Sequence, residues 1–205
     1  MPRSPANALA RLKAGNQRYV AGRHDADATP LRRHELVAEQ EPYAIILGCS
    51  DSRVPAEMVF DQGLGSLFVI RVAGNIVAPS HIASAEYAAT ALGTHLIVVL
   101  GHTGCGAVKA ALQELERPMA RRSPGLRSIT DRIRPAIENV VYTDLSAAER
   151  LERAVRVNIH TSVHTLRHGS PILETLLDSG KLVIVGAEYS LETGDVEFFD
   201  DLPSP

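Results

Sequence analysis

The chain reads as an α/β protein: a mainly parallel four-stranded sheet with an antiparallel edge strand, flanked by helices. Two observations predict this. Short apolar runs at 43–47 (YAIIL), 66–72 (SLFVIRV), 95–100 (HLIVVL) and 181–185 (KLVIV) lack the strict alternation of a half-exposed strand, so they suit strands buried on both faces. Helical patterns separate the runs, as the crossover between consecutive parallel strands requires.

Residues 5–20 read as a helix, with Leu9, Leu12, Tyr19 and Val20 at helical spacing and a stop near Gly22. A polar link runs to Pro30. A second short helix covers 31–40 until Glu41-Pro42 breaks it. After the strand at 43–47, Pro55 opens a short helix through Phe60, and Gln62-Gly63-Leu64-Gly65 turns the chain into 66–72. An Ala-rich helix at 80–92 stops at Gly93. Beyond the strand at 95–100 come a helix at 105–115, a basic Pro-punctuated loop at 117–125, and helices at 126–142, 146–168 and 171–177. The strand at 181–185 follows, and Thr193-Gly194-Asp195 turns the chain into a hairpin partner at 196–199. No internal repeat or composition shift divides residues 1–205, which are expected to form one domain; the tail after Leu202 is expected to fray.

The net charge of −3, 45% hydrophobic and 22% charged residues are ordinary for a globular protein, and give no electrostatic case for nucleic acid or an anionic membrane. Trp is absent, which argues further against base stacking, and no run approaches a membrane-spanning length. Residues 1–24 carry Arg3, Arg11, Lys13, Arg18 and Arg23 but no acid. A transit peptide has that composition, and so does a basic amphipathic helix of the mature chain. The helical spacing favours the second, and a cytoplasmic protein is expected. Two cysteines allow one disulfide or two thiolate ligands, and without a secretory context metal binding is the better reading.

Gly48-Cys49-Ser50-Asp51-Ser52-Arg53 and Gly101-His102-Thr103-Gly104-Cys105-Gly106 each follow a strand. Ligands gather beyond the carboxyl ends of such strands. Adjacent strands would therefore unite the two loops although 53 positions separate Cys49 from His102. Two thiolates and an imidazole are a zinc donor set. Asp51 either takes the fourth position, closing the site, or leaves it to water. In the second case Arg53 keeps the carboxylate ionised and Asp51 orients the water. The plainer reading makes both cysteines small buried hydrophobes and His102 a satisfied polar group; the tight H-x-x-C spacing favours metal. His160, His164 and His168 recur every fourth residue, as a second metal site, a proton-handling surface, or a polar face opposite Val155, Ile159, Val163 and Leu166. His81 suits a proton shuttle or a helix start, and Arg121, Arg122 and Arg127 a solvated loop or subunit contact.

The runs C-S-D-S-R-V-P and G-H-T-G-C-G-A resemble the β-class carbonic anhydrases, a likeness that extends at least from Ala8 to Phe199. It implies one zinc per chain on Cys49, His102 and Cys105, with Asp51 and Arg53 as catalytic dyad. The implied reaction is reversible hydration of carbon dioxide to bicarbonate and a proton, by attack of zinc hydroxide. Gln40, Phe68 and Tyr87 match the substrate pocket. The resemblance further implies a homodimer or homotetramer in which the arm at 1–24 packs on a neighbouring subunit. Hydrolysis of carbonyl sulfide or carbon disulfide is the alternative on the same scaffold, and a non-catalytic zinc-binding assembly subunit the alternative outside enzymes. Bicarbonate-regulated members carry a Trp three residues before the first Cys. Here that position is Ile46, although Arg71 and Tyr189 match the other two regulatory residues. An open site, with Asp51 paired to Arg53, is therefore expected.

Overall fold

A computed structural model describes residues 4–116 and 123–199. Five strands form one sheet: β1 (Ala44–Gly48), β2 (Leu67–Arg71), β3 (Leu96–His102), β4 (Val183–Tyr189) and β5 (Val196–Phe198), in the order β2-β1-β3-β4-β5. The first four are parallel and β5 is antiparallel to β4. β1 therefore lies between β2 and β3, and the order of the strands reverses beside it. The carboxyl ends of β1 and β3 flank that switch point, where open sheets leave a crevice.

Every residue of β1 and β3 is buried, and the two-residue period of a strand sorts their side chains to opposite faces. Ile45, Leu47, Ile97, Val99 and Ile184 belong to one core, with Val108, Ile133, Ile137, Val155, Ile159 and Leu166. Those partners come from α5 (Gly106–Glu116), α6 (Pro124–Ile137) and α7 (Ala147–His168), and α4 (Pro79–Thr90) and α8 (Pro171–Asp178) complete this layer. Ile46, Val98, Leu100 and Val185 face the other way. There Ala8, Leu9 and Leu12 of α1 (Pro5–Val20) and Val59 of α3 (Ala56–Val59) cover them.

α7 is held close to the sheet by two glycines. A Cβ on Gly101 would lie 2.5 Å from Ile159 Cδ1, and one on Gly186 3.0 Å from Ile159 Cγ2. Ile159 thus occupies a slot that larger residues on β3 and β4 would close. The helix begins with a capping box, in which Ser146 and Glu149 each bond the other's backbone N–H.

Some boundaries differ from expectation. The second helix, α2 (Pro30–Glu35), stops well short of residue 40. It buries none of its residues and Val37 is 81% exposed, so no packed face extends it. α6 starts at Pro124 on a Ser123 cap and ends two residues past Pro135, giving way to a 3₁₀ turn at Glu138–Val140. β3 and β4 run on to His102 and Tyr189, which pair in register. Arg121, Arg122 and the tail after Leu202 lie outside the described residues. Among the described residues, no helix is long and apolar enough to cross a membrane.

Candidate metal centre

Cys49 follows β1 directly, His102 is the last residue of β3, and Cys105 immediately precedes α5. Their donor atoms lie within 4.8 Å of one another, and all three residues are buried. His102 Nδ1 is 2.9 Å from the Thr103 carbonyl. A carbonyl only accepts, so Nδ1 carries the proton and Nε2 turns its lone pair inward. That Nε2 is buried and has no hydrogen-bond partner, a costly state for a polar atom unless a cation meets it. Hydrogen bonding to Cys105 pushes the Cys49 thiol down, and the same bond with burial pushes Cys105 up. Burial opposes a charged His102, but its contact with Cys49 outweighs this and raises the imidazole. Two sulfurs and one nitrogen, gathered within 4.8 Å of one another, fit zinc with one tetrahedral position to spare.

Asp51 stands beside this cluster, its Oδ2 3.9 Å from His102 Nε2. Arg53 holds it in a fork, Nε to Oδ1 at 2.9 Å and Nη2 to Oδ2 at 2.7 Å, and donates its backbone N–H to Oδ1 at 3.0 Å. These hydrogen bonds keep the carboxyl well below the usual carboxylate range. Asp51 is thus paired with Arg53 through both of its oxygens. Ile46 itself is a fully buried core residue.

Arg71 and Tyr189 are engaged elsewhere. Arg71 donates from Nε to the Cys49 carbonyl (3.1 Å) and from Nη2 to the Asp51 carbonyl (2.7 Å), bracing the loop from β2. Tyr189 is buried, its hydroxyl 3.2 Å from that of Tyr19, and burial pushes it up to about 12.

One contributor escapes a reading of the sequence. Gly74 donates its N–H to Cys49 Sγ at 3.3 Å. Its φ is 73°, and a Cβ there would lie 2.9 Å from Ile133 Cδ1 and 3.0 Å from Ala107 Cβ. From α7, Asn158 donates to the Gly74 carbonyl (2.8 Å) and Ser162 to the Asn75 carbonyl (2.9 Å), fixing the turn. The run Ala73-Gly74-Asn75 signals a turn, but nothing in its spacing aims it at Cys49.

Of the expected pocket residues, two line one cavity and the third lies beside them. Gln40 and Tyr87 line a cavity of about 740 Å³ with Leu36, Val37 and Leu64. The Phe68 ring is 6.2 Å from that of Tyr87. None of the metal-centre or dyad residues lines that cavity. His81 Nδ1 accepts the Ala78 N–H at 3.1 Å, so it serves the start of α4. Among the described residues only Cys49, His102 and Cys105 gather three metal-capable donors, which removes a three-histidine site on α7.

Comparison with known proteins adds independent findings. A family model described as "Carbonic anhydrase" matches residues 44–196. Carbonic anhydrase 2 of Mycobacterium tuberculosis (strain H37Rv) is 40% identical over 195 residues, 93% of this chain and 91% of that one. The carbonic anhydrase of Mycolicibacterium smegmatis is 41% identical over 200 residues, 96% and 95% of the two chains. The solved β-carbonic anhydrase CcaA superposes with a TM-score of 0.72 at 30% identity, covering 94% of this chain and 95% of its own. Tetrameric β-carbonic anhydrases of Sordaria macrospora share the fold, with a TM-score of 0.73 at 24% identity and 94% coverage of both chains.

Proposed function

The chain belongs to the β-class carbonic anhydrases, enzymes that interconvert carbon dioxide and bicarbonate, and from that premise we propose which residues carry the reaction: Cys49, His102 and Cys105 hold one zinc per chain, and Asp51 with Arg53 controls the reacting water. The supporting observation is the convergence of three buried donors, one with an unpartnered nitrogen, beside a carboxylate locked by arginine. When bound, zinc supplies the Lewis acidity that makes water a nucleophile near neutral pH. Asp51 would accept a hydrogen bond from the reacting water and so orient it toward the carbon of carbon dioxide. Arg53 engages both carboxylate oxygens, so Asp51 stays ionised and turned from the metal position. Arg71 and Gly74 hold the loop and the Cys49 sulfur in place beforehand, which spares reorganisation during the reaction.

We assign Gln40, Phe68 and Tyr87 to the carbon dioxide pocket of a neighbouring copy. Their wall is exposed in one chain, with Tyr87 52% accessible, and an assembly that covers it accounts for that exposure. Ala8, Leu9 and Leu12 of the arm are buried within their own chain, and in this reading the arm's polar face reaches the neighbour. Two free cysteines suit a reducing compartment, and we assign the enzyme to the cytoplasm.

Stopped-flow hydration of carbon dioxide, with zinc content measured on the same sample, tests the assignment. Cys49→Ser and Cys105→Ser are expected to lose zinc, because a neutral hydroxyl does not replace a thiolate. Asp51→Asn is expected to keep zinc and lose rate. Full zinc in both serine variants, or a wild-type rate in Asp51→Asn, would refute the roles given. Faster turnover of carbonyl sulfide than of carbon dioxide would reassign the substrate.

A further inference from the structure

Away from the metal centre, α7 exposes His160, His164 and His168 on successive turns. Val155, Ile159, Val163 and Leu166 fix the opposite face in the core, so the helix presents these histidines to solvent. Residues four apart on a helix are neighbours, and the rings of His164 and His168 stand 4.5 Å apart. His160 is drawn off by Phe199, on which it stacks at 5.2 Å. The feature is therefore a pair.

His168 Nδ1 lies 3.2 Å from Glu174 Oε1 on α8. With Nδ1–H donated to the carboxylate, Nε2 presents its lone pair outward, the arrangement that carboxylates impose on metal-ligating histidines. The pair also lies near the carboxyl end of α7, where the partial negative charge of the helix favours a cation.

We infer that His164 and His168 form a surface site for a divalent transition-metal ion, separate from the metal centre, with Glu174 orienting His168 and solvent completing the coordination. Nitrogen donors without thiolate place Cu²⁺ above Ni²⁺ and Zn²⁺ in affinity. Two donors hold an ion less tightly than three, so this ion exchanges with solvent more readily than one bound at Cys49, His102 and Cys105.

The test is a Cu²⁺ titration of the full chain pre-loaded with Zn²⁺, followed by calorimetry and electron paramagnetic resonance. One Cu²⁺ per chain is expected, with nitrogen hyperfine coupling and no thiolate charge-transfer absorption. Glu174→Gln is expected to weaken binding roughly tenfold, and His164→Gln or His168→Gln by more than that outer partner does. His160→Gln should leave binding unchanged. Unaltered zinc content and hydration rate in all four variants distinguish loss of the site from loss of the fold. No Cu²⁺ binding by the wild type, sulfur ligation, or undiminished binding in a His164→Gln/His168→Gln double variant would overturn the assignment.

Discussion

Gly74 supports Cys49 with a backbone N–H delivered from a left-handed conformation, in a space too small for a methyl group. Gly74→Ala therefore sets strain against the turn, about 1–2 kcal/mol for the left-handed backbone alone, and displaces the donor. A lower urea midpoint is expected, together with faster capture of zinc by a competing chelator. Unchanged capture would show that the N–H does not support the sulfur. Arg71 and Gly74 also mark where reading the chain stops. Cys49, Asp51 and Arg53 share one local spacing and His102 and Cys105 another, so both are visible as strings of letters. Arg71 and Gly74 reach Cys49 across 22 and 25 positions. Only the parallel pairing of β1 with β2, which sets Gly48 against Arg71, brings them there.

Among the elements, α1 and the link after it are fastened by one carboxylate just past α3. Asp61 accepts from Arg18 Nε at 2.5 Å and from the backbone N–H groups of Asp25 and Ala26, and its own φ is 46°. Burial raises this carboxyl, but the Arg18 contact and the backbone donors outweigh it, leaving it below its ordinary 3.8. A carboxyl lowered on folding stabilises the fold fully above its unfolded value, and the contribution fades as pH falls through the lower folded one. Asn tolerates the left-handed region, so Asp61→Asn isolates the charge. Near neutral pH it is expected to cost about 1.5–3 kcal/mol, the range for hydrogen bonds to charged groups. Urea unfolding at stepped pH should show the gap between variant and wild type closing below 3.8; a gap independent of pH would exclude the charge as its cause. Element boundaries followed the same logic of burial. α2 is shorter than its sequence pattern predicts because nothing packs on it to extend it. β3 and β4 run past their apolar stretches because His102, Glu188 and Tyr189, residue types common in loops, are all buried.

For the whole molecule, the outer edge of β2 has no strand partner among the described residues, and Met58, Leu64 and Tyr87 are exposed near it. Unpaired edges and clustered apolar side chains are where chains associate. Sedimentation is expected to find a dimer or larger assembly. Tyr87→Glu should shift it toward monomer and lower hydration while zinc stays bound, whereas a fully active monomeric wild type would separate the cavity from the reaction. Gln40, Phe68 and Tyr87 stand out only through the family resemblance, because the apolar pattern of a single chain does not tell a pocket wall from core. The glycine slot under Ile159 has a different reach. Ile159 is flanked on α7 by Asn158 and Ser162, whose side chains grip the turn at Gly74 and Asn75, so the helix works as a lever with its fulcrum on the sheet. Gly186→Ala, remote from every proposed ligand in sequence, would press on that fulcrum and cost about 1 kcal/mol, the low end for an overfilled core. Its larger effect is expected in time: zinc should escape several-fold faster from a protein whose unfolding midpoint has hardly moved, so the lifetime of the bound metal is set partly by how closely a helix lies on two glycines.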